Sequence, residues 1–138
     1  MFPFRKKTSP RETPAQRTGR LGEEQAAEFL RREKGFHIVQ RNWRAGKDEI
    51  DLLAWDGPVL VLIEVKTRQT ESLVPARVAV NRDKKAALRR AFFQYVKTLA
   101  TRPRAVRFDI VEVYLAVGTP CPVRHYPNIP LFGKHFRS

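Results

Sequence analysis

Five consecutive apolar residues, Val59 to Ile63, are followed at once by Glu64-Val65-Lys66. On a strand successive side chains leave opposite faces, so Leu60 and Leu62 point one way and Val59, Val61, Ile63 and Val65 the other. Apolar residues on both faces mark a strand in the middle of a sheet, covered on each side. A chain of 138 residues is long enough for one domain built around such a strand. Against that background Glu64 and Lys66 stand out. They leave the same face as Leu60 and Leu62, where charge is out of place.

The remaining pattern arranges itself around this strand. Residues 1–17 hold Arg5, Lys6, Lys7, Arg11, Arg17 and three prolines, and read as a flexible basic arm. A helix is predicted from near Thr18-Gly19 to Lys34, with Gly35 as its terminator. Phe36–Trp43 reads as a strand, Ala45-Gly46-Lys47 as a turn and Glu49–Trp55 as a second strand. Asp56-Gly57 signals a hairpin into the third strand, Val59–Thr67. Arg68–Val80 has no period and reads as a loop. Asn81 caps a second helix to about Ala100, with the stripe Leu88, Ala91, Phe92, Tyr95, Val96, Leu99. Ala105–Val117 is a fourth strand, and residues 118–138 form a basic, Pro-rich, mostly irregular segment. Helix, three strands, helix, strand describes an α/β (α+β) domain over residues 18–117, a mixed sheet flanked by helices.

Charge and composition narrow the function. Twenty-seven Lys and Arg against fourteen Asp and Glu leave +13, while 42 % hydrophobic content is too high for a disordered basic tail. Polyanions, nucleic acid above all, are the expected partners. An apolar run of five is far below the roughly twenty residues of a membrane span, and the charged N-terminus has no apolar stretch behind it. A soluble, cytoplasmic protein is expected. Cys121 is the only cysteine, which excludes a disulfide framework and a Cys-rich zinc site. His37, His125 and His135 lack metal-site spacing and read as ordinary histidines. Neither a Gly-rich phosphate loop nor a Ser-His-Asp motif is present.

The hairpin brings acids together. If Asp56-Gly57 is the turn, Ala54 faces Val59, with Trp55 and Pro58 in a four-residue loop because Pro58 has no amide hydrogen. Asp51 then faces Leu62 with Glu64 as its diagonal neighbour, and Glu49 lies opposite Glu64. Glu64 and Lys66 alone would make an ordinary ion pair at a strand end. Two carboxylates on one patch repel unless a positive charge lies between them. Mg²⁺ or Mn²⁺ suits such a pair, lowers the pKa of a bound water and stabilises charge on a phosphoryl group. Lys66 would add a donor for the attacking water or the transition state. This set fits metal-assisted phosphodiester hydrolysis better than glycoside hydrolysis, where the lysine has no task. On the first helix, Glu23 shares the core-facing stripe with Ala26, Ala27 and Leu30. It is either a third ligand or a first-turn acid favoured by the helix dipole. Lys84 extends the stripe of the second helix, to hold a phosphate or to snorkel off the core.

These residues carry a resemblance. Asp51, twelve residues, then Glu64-Val65-Lys66 resembles the PD-(D/E)XK signature of the restriction-endonuclease-like superfamily, with Ile50 in place of the proline. Gly19-x-x-Gly22-Glu23-x-x-Ala26, Arg41-Asn42-Trp43-Arg44, Glu49-Ile50-Asp51-Leu52-Leu53, Val61-x-x-Glu64-Val65-Lys66-Thr67-Arg68 and Arg107-Phe108-Asp109 together resemble the YraN-type family of small bacterial proteins. That family is similar to archaeal Holliday junction resolvases. The resemblance spans about residues 18 to 112. It implies a restriction-endonuclease-like αβββαβ core with the metal site at the β-hairpin. It also implies Glu23 as the helix acid, Asp51 and Glu64 as metal ligands, Lys66 as the catalytic lysine and Lys84 as a basic position on the second helix. Asp48 departs from the family's usual glycine and would alter the turn or add a fourth acid. The arm is longer than the family core requires.

The expectation is a Mg²⁺- or Mn²⁺-dependent DNA endonuclease-like domain, with Arg68, Lys84, Lys85, Arg89 and Arg90 gripping phosphates. A branched DNA substrate follows from fold analogy alone. The rival reading is a non-catalytic nucleic-acid-binding or ribosome-associated protein that keeps the fold; a weaker one is an adaptor for an acidic protein. Two-fold symmetry would suit a junction-cutting homodimer. The Phe- and Tyr-bearing C-terminal segment offers either that interface or a cover for its own sheet.

Overall fold

The computed structural model describes residues 11–68, 80–115 and 122–132. Residues 5–7 of the expected arm, most of the expected loop after Arg68, Cys121 and His135 lie outside these residues. The element order is α1 (Pro14–Lys34), β1 (His37–Ala45), β2 (Asp48–Asp56), β3 (Val59–Arg68), α2 (Arg82–Val96), β4 (Ala105–Tyr114) and β5 (Val123–Tyr126). The predicted αβββαβ sequence of elements is borne out, with β5 added.

The five strands form one mixed sheet in the order β1-β2-β3-β4-β5. Neighbours are antiparallel except β3 and β4, which run parallel. β3 is the central strand, and Leu60 through Ile63 are fully buried. Its two faces meet different helices, as the double-sided apolar pattern requires. Leu60 and Leu62 join Leu53, Phe108 and Ile110 under Leu88, Ala91, Phe92 and Tyr95 of α2. Val61, Ile63 and Val65 join Leu52, Ala54 and Val111 under Ala26, Ala27 and Leu30 of α1.

Several boundaries differ from expectation for identifiable reasons. Helix α1 begins at Pro14, not near Thr18, so residues 14–17 belong to the helix rather than the arm. Thr13 and Gln16 form a capping box: the Thr13 side chain accepts from the Gln16 amide at 3.1 Å, and Gln16 accepts from the Thr13 amide at 2.9 Å. Pro14 sits where its missing N–H costs nothing. Helix α2 ends at Val96, and residues 97–100 fold into a turn on the Tyr95 and Val96 carbonyls. The C-terminal segment is not wholly irregular. Residues 123–126 form β5 against β4, and Ile129, Leu131 and Phe132 pack on the α2 side of the core, so this part covers its own sheet.

The hairpin register is displaced by two residues from the expected one. Asp56 pairs with Val59 and Trp55 with Leu60, leaving only Gly57 and Pro58 in the loop. Gly57 takes φ +57°, which glycine adopts without strain. Pro58 in the loop needs no amide hydrogen, so Trp55 need not leave the ladder. A displacement of two keeps the paired residues, Leu52–Asp56 and Val59–Ile63, on their predicted faces, whereas one would have reversed them.

A buried ionic cluster fastens the far edge of the sheet. Asp109, fully buried, accepts two bonds from Arg107 at 2.8 and 3.0 Å and one from the Asn128 amide at 3.0 Å; its Oδ2 lies 2.7 Å from His125 Nε2. Arg107 also reaches Asp56 at 2.9 Å and lies over the Phe36 ring. One carboxylate thus joins β4, β5 and the segment behind β5 to the hairpin.

Candidate active site

The site forms where β2 and β3 part. Their ladder runs from Asp56–Val59 to Leu52–Ile63 and then stops. Continued in the same register, Asp51 would lie opposite Glu64 and Glu49 opposite Lys66. Instead, the Val65 amide donates to the Asp51 carboxylate at 2.9 Å. On the other side of β2, Arg41 pairs with Leu52 and Trp43 with Ile50, leaving Asn42 across from Asp51 at φ +50°. A left-handed asparagine inside a strand marks a local break in the pleat. Consistent with that break, Ile50 and Leu53 both reach the α2-side core although they are three residues apart.

The parted strands admit a group from the opposite layer. Glu23, half-buried on α1, accepts a hydrogen bond from the Asn42 side chain and lies close enough to Glu49 and Glu64 to feel both charges. Burial first, then those neighbours, raise its pKa. Asp51 feels the same environment more strongly: burial and the nearby Glu64 push its carboxyl up to about 8, against the Val65 amide and Lys84, which favour the charged form. Asn42 is a member of the site that the spacing of the acids and the lysine does not mark. Its signal was a poor strand former within Arg41-Asn42-Trp43-Arg44.

Glu64 completes the cluster and is only 4 % exposed. Its Oε1 lies 3.5 Å from Lys66 Nζ and 3.6 Å from Lys84 Nζ. Its Oε2 is buried and has no hydrogen-bond partner. A buried carboxylate oxygen without a partner is costly unless something else satisfies it. Glu23, Asp51, Glu64 and Lys66 are therefore gathered from three elements, and Lys84 enters the site itself from the first turn of α2.

The other expected members have partners or places of their own. Glu49 pairs with Arg44 at 3.7 Å. Asp48 adds no fourth acid, because Arg90 holds it at 3.1 and 3.2 Å and keeps its pKa low. Arg68 bonds Glu112 at 3.0 Å, Arg89 donates to the Leu131 carbonyl at 3.0 Å, and Lys85 is half-buried on α2. Glu112 is 2 % exposed and also accepts from the Tyr114 hydroxyl.

Glu23 depends on close approach of α1 to β3. A Cβ at Gly22 would fall far inside contact distance of Thr67 Oγ1 and 2.8 Å from Thr67 Cγ2. Gly22→Ala is expected to cost about 1–3 kcal/mol in urea unfolding by forcing the helix off the strand. Thr67→Ala in the same chain removes these two contacts but keeps the Thr67 Cβ, itself 2.9 Å from the added methyl, so it should restore only part of the loss; a single Gly22→Ala as stable as wild type would refute this packing.

Among the described residues no group of three or more His, Cys, Asp or Glu side chains is placed to hold a metal ion. Asp51 and the unpartnered Glu64 oxygen are hard oxygen donors of the kind Mg²⁺ and Mn²⁺ accept, ions that take few carboxylates and keep several waters. Among the described residues no helix is long and apolar enough to cross a membrane.

Fold and site define a small mixed α/β protein whose central sheet carries an acid–lysine cluster where its strands part. The chain belongs to the family described as Uncharacterised protein family UPF0102, the YraN-type family, whose profile matches residues 22–113. It is similar to a UPF0102 protein of Solibacter usitatus, 46 % identical over 99 residues that cover 70 % of this chain and 74 % of the relative. A UPF0102 protein of Koribacter versatilis is 44 % identical over 108 residues, 77 % of this chain and 74 % of the relative. One of Symbiobacterium thermophilum is 43 % identical over 99 residues, 72 % and 83 % respectively.

Proposed function

We propose that this protein is a divalent-metal-dependent nuclease of the restriction-endonuclease-like superfamily, hydrolysing DNA phosphodiesters in the cytoplasm. The observation that carries the reading is Glu64: a buried carboxylate with two lysines on one oxygen, no partner on the other, and a second carboxylate beside it. A protein that only binds phosphate would gain nothing from buried acids at its docking face.

Asp51 and Glu64 would hold Mg²⁺ or Mn²⁺, with waters and a substrate phosphate completing the shell. When bound, the ion would supply a nucleophilic water near neutral pH and offset charge on the phosphoryl oxygens. Lys66 and Lys84 flank Glu64 and can each donate to a phosphate oxygen, opposing the repulsion that the acids would otherwise exert on the substrate. Glu23, whose pKa is raised by burial and by the nearby Glu49 and Glu64 charges, can accept or return a proton at the edge of the site. In the overall step a water oxygen bonds to phosphorus and one P–O ester bond breaks, leaving a phosphate monoester and a hydroxyl.

The test is incubation with supercoiled, linear and four-way-junction DNA in Mg²⁺, Mn²⁺ or EDTA. Products that need metal and disappear in Glu64→Gln support the reading. Metal-independent binding with no products on any substrate would leave a non-catalytic DNA-binding protein.

A further inference from the structure

An open groove of about 690 Å³ lies between α2 and the β1–β2 turn. Its walls include Trp43, Arg44, Asp48, Arg90, Phe93 and Gln94. Arg90, Phe93 and Gln94 are three and four residues apart on α2 and so share one side of the helix. Phe93 is the large apolar side chain left exposed among the described residues, at 45 %. Trp43 is braced from behind by an edge contact to Tyr95, ring centres 5.5 Å apart, so one side of it is fixed. The Arg44 and Arg90 side chains are 75 % and 54 % exposed. Asp48 engages two of the five donors of Arg90, which fixes the guanidinium at the rim.

The groove is also at the right distance. Asp48 is three residues along β2 from Asp51, about 10 Å at strand spacing. Arg90 is six residues along α2 from Lys84, about 9 Å. Both equal two to three stacked nucleotides at about 3.4 Å each. An exposed ring with arginines on either side offers a base a flat face and its phosphates two cations. Asp48 and Glu49 leave each arginine with further donors, which a phosphate would take up and an apolar peptide would not.

We propose that this groove seats an unstacked base of a single-stranded segment leaving the acid cluster, with Phe93 and Trp43 against the base and Arg44 and Arg90 on the adjoining phosphates. The proposal rests on the nuclease reading for the direction from which the strand arrives. It makes DNA with an unpaired stretch next to the cleaved bond the substrate class.

The test measures binding of a ten-residue oligo(dT) and of a blunt duplex of equal length, in EDTA, by the full chain and its Phe93→Ala and Phe93→Tyr variants. Phe93→Ala is expected to weaken oligo(dT) binding about tenfold and duplex binding less than twofold. Phe93→Tyr keeps a ring and should bind as wild type does. An oligonucleotide abasic at every position should bind wild type and Phe93→Ala alike. Unchanged oligo(dT) affinity in Phe93→Ala, or equal losses on both DNAs, overturns the groove while metal-dependent cleavage still stands. Failure of the wild type to bind oligo(dT) also overturns the groove, and the nuclease reading is decided separately by metal-dependent cleavage.

Discussion

Asp51→Asn is expected to stabilise the protein at pH 8 in EDTA while removing metal-dependent cleavage. Burial and the charge of Glu64 raise the Asp51 pKa to about 8, well above its unfolded value. A carboxyl with a raised folded pKa binds its proton more tightly in the native state. Its contribution is favourable at acid pH, and stability falls as pH rises from about 4 through about 8. Each pKa unit corresponds to about 1.4 kcal/mol, so the full shift sets a ceiling of several kcal/mol. Solvent reaches this half-buried group, and a rise in Tm of about 5 °C is the expected reading. The asparagine oxygen can still accept from the Val65 amide. At pH 4 the difference between variant and wild type should shrink towards zero. Mg²⁺ should raise the Tm of the wild type and not of Asp51→Asn, because an ion that binds only the native state stabilises it. Cleavage should fall by at least about 10³-fold, the scale on which a lost metal ligand acts. Identical melting of the two proteins at pH 8 would show that the carboxylates do not strain the fold.

Asp109→Ala should have the opposite sign and a larger size. Asp109 is fully buried and holds Arg107, His125 and the Asn128 amide. Removing it leaves a guanidinium under Phe36 and a nearly enclosed imidazole without their shared anion. Breaking a buried pair from one side typically costs about 3–5 kcal/mol. The Asp109 pKa is held below its ordinary value by His125, Arg107 and the Asn128 amide, which outweigh burial. Its stabilisation is therefore present above the unfolded carboxyl pKa and lost as pH falls through the lower folded value. Urea unfolding at pH 7 and pH 3 measures both effects. The gap between wild type and Asp109→Ala should be wide at pH 7 and narrow at pH 3. A loss below about 1 kcal/mol at pH 7 would mean that β5 is held by other contacts.

Much of the fold was legible because its strongest signals are periodic. The double-sided strand at Val59–Ile63 and the stripe Leu88, Ala91, Phe92, Tyr95 each report packing partners directly. The acids Asp51 and Glu64 were legible for a related reason: charge on a face that the rest of the strand keeps apolar. What escaped depends on residues remote in sequence or on local chemistry that charge obscured. The Thr13–Gln16 capping box lay inside a stretch dominated by arginines and prolines. The burial of Glu112 follows from Arg68, and that of Asp109 is completed by His125 and the Asn128 amide. No strand pattern announces such pairs. The register differs because Asp56-Gly57 signals a two-residue turn, whereas Gly57 and Pro58 form the loop and Asp56 stays in the ladder. The place of Asn42 rests on a positive φ, which a strand period does not reveal.

One hydrogen bond makes the state of the site observable without any substrate. The Val65 amide belongs to the central strand yet donates to the Asp51 side chain. Its strength must follow the proton on that carboxylate, and a cation seated there would compete for the same oxygens. The nitrogen resonance of this single backbone group should therefore move with pH and with added Mg²⁺, while amides deeper in β3 stay still. A spectroscopist could read occupancy, affinity and ionisation from one peak on a protein that is turning nothing over.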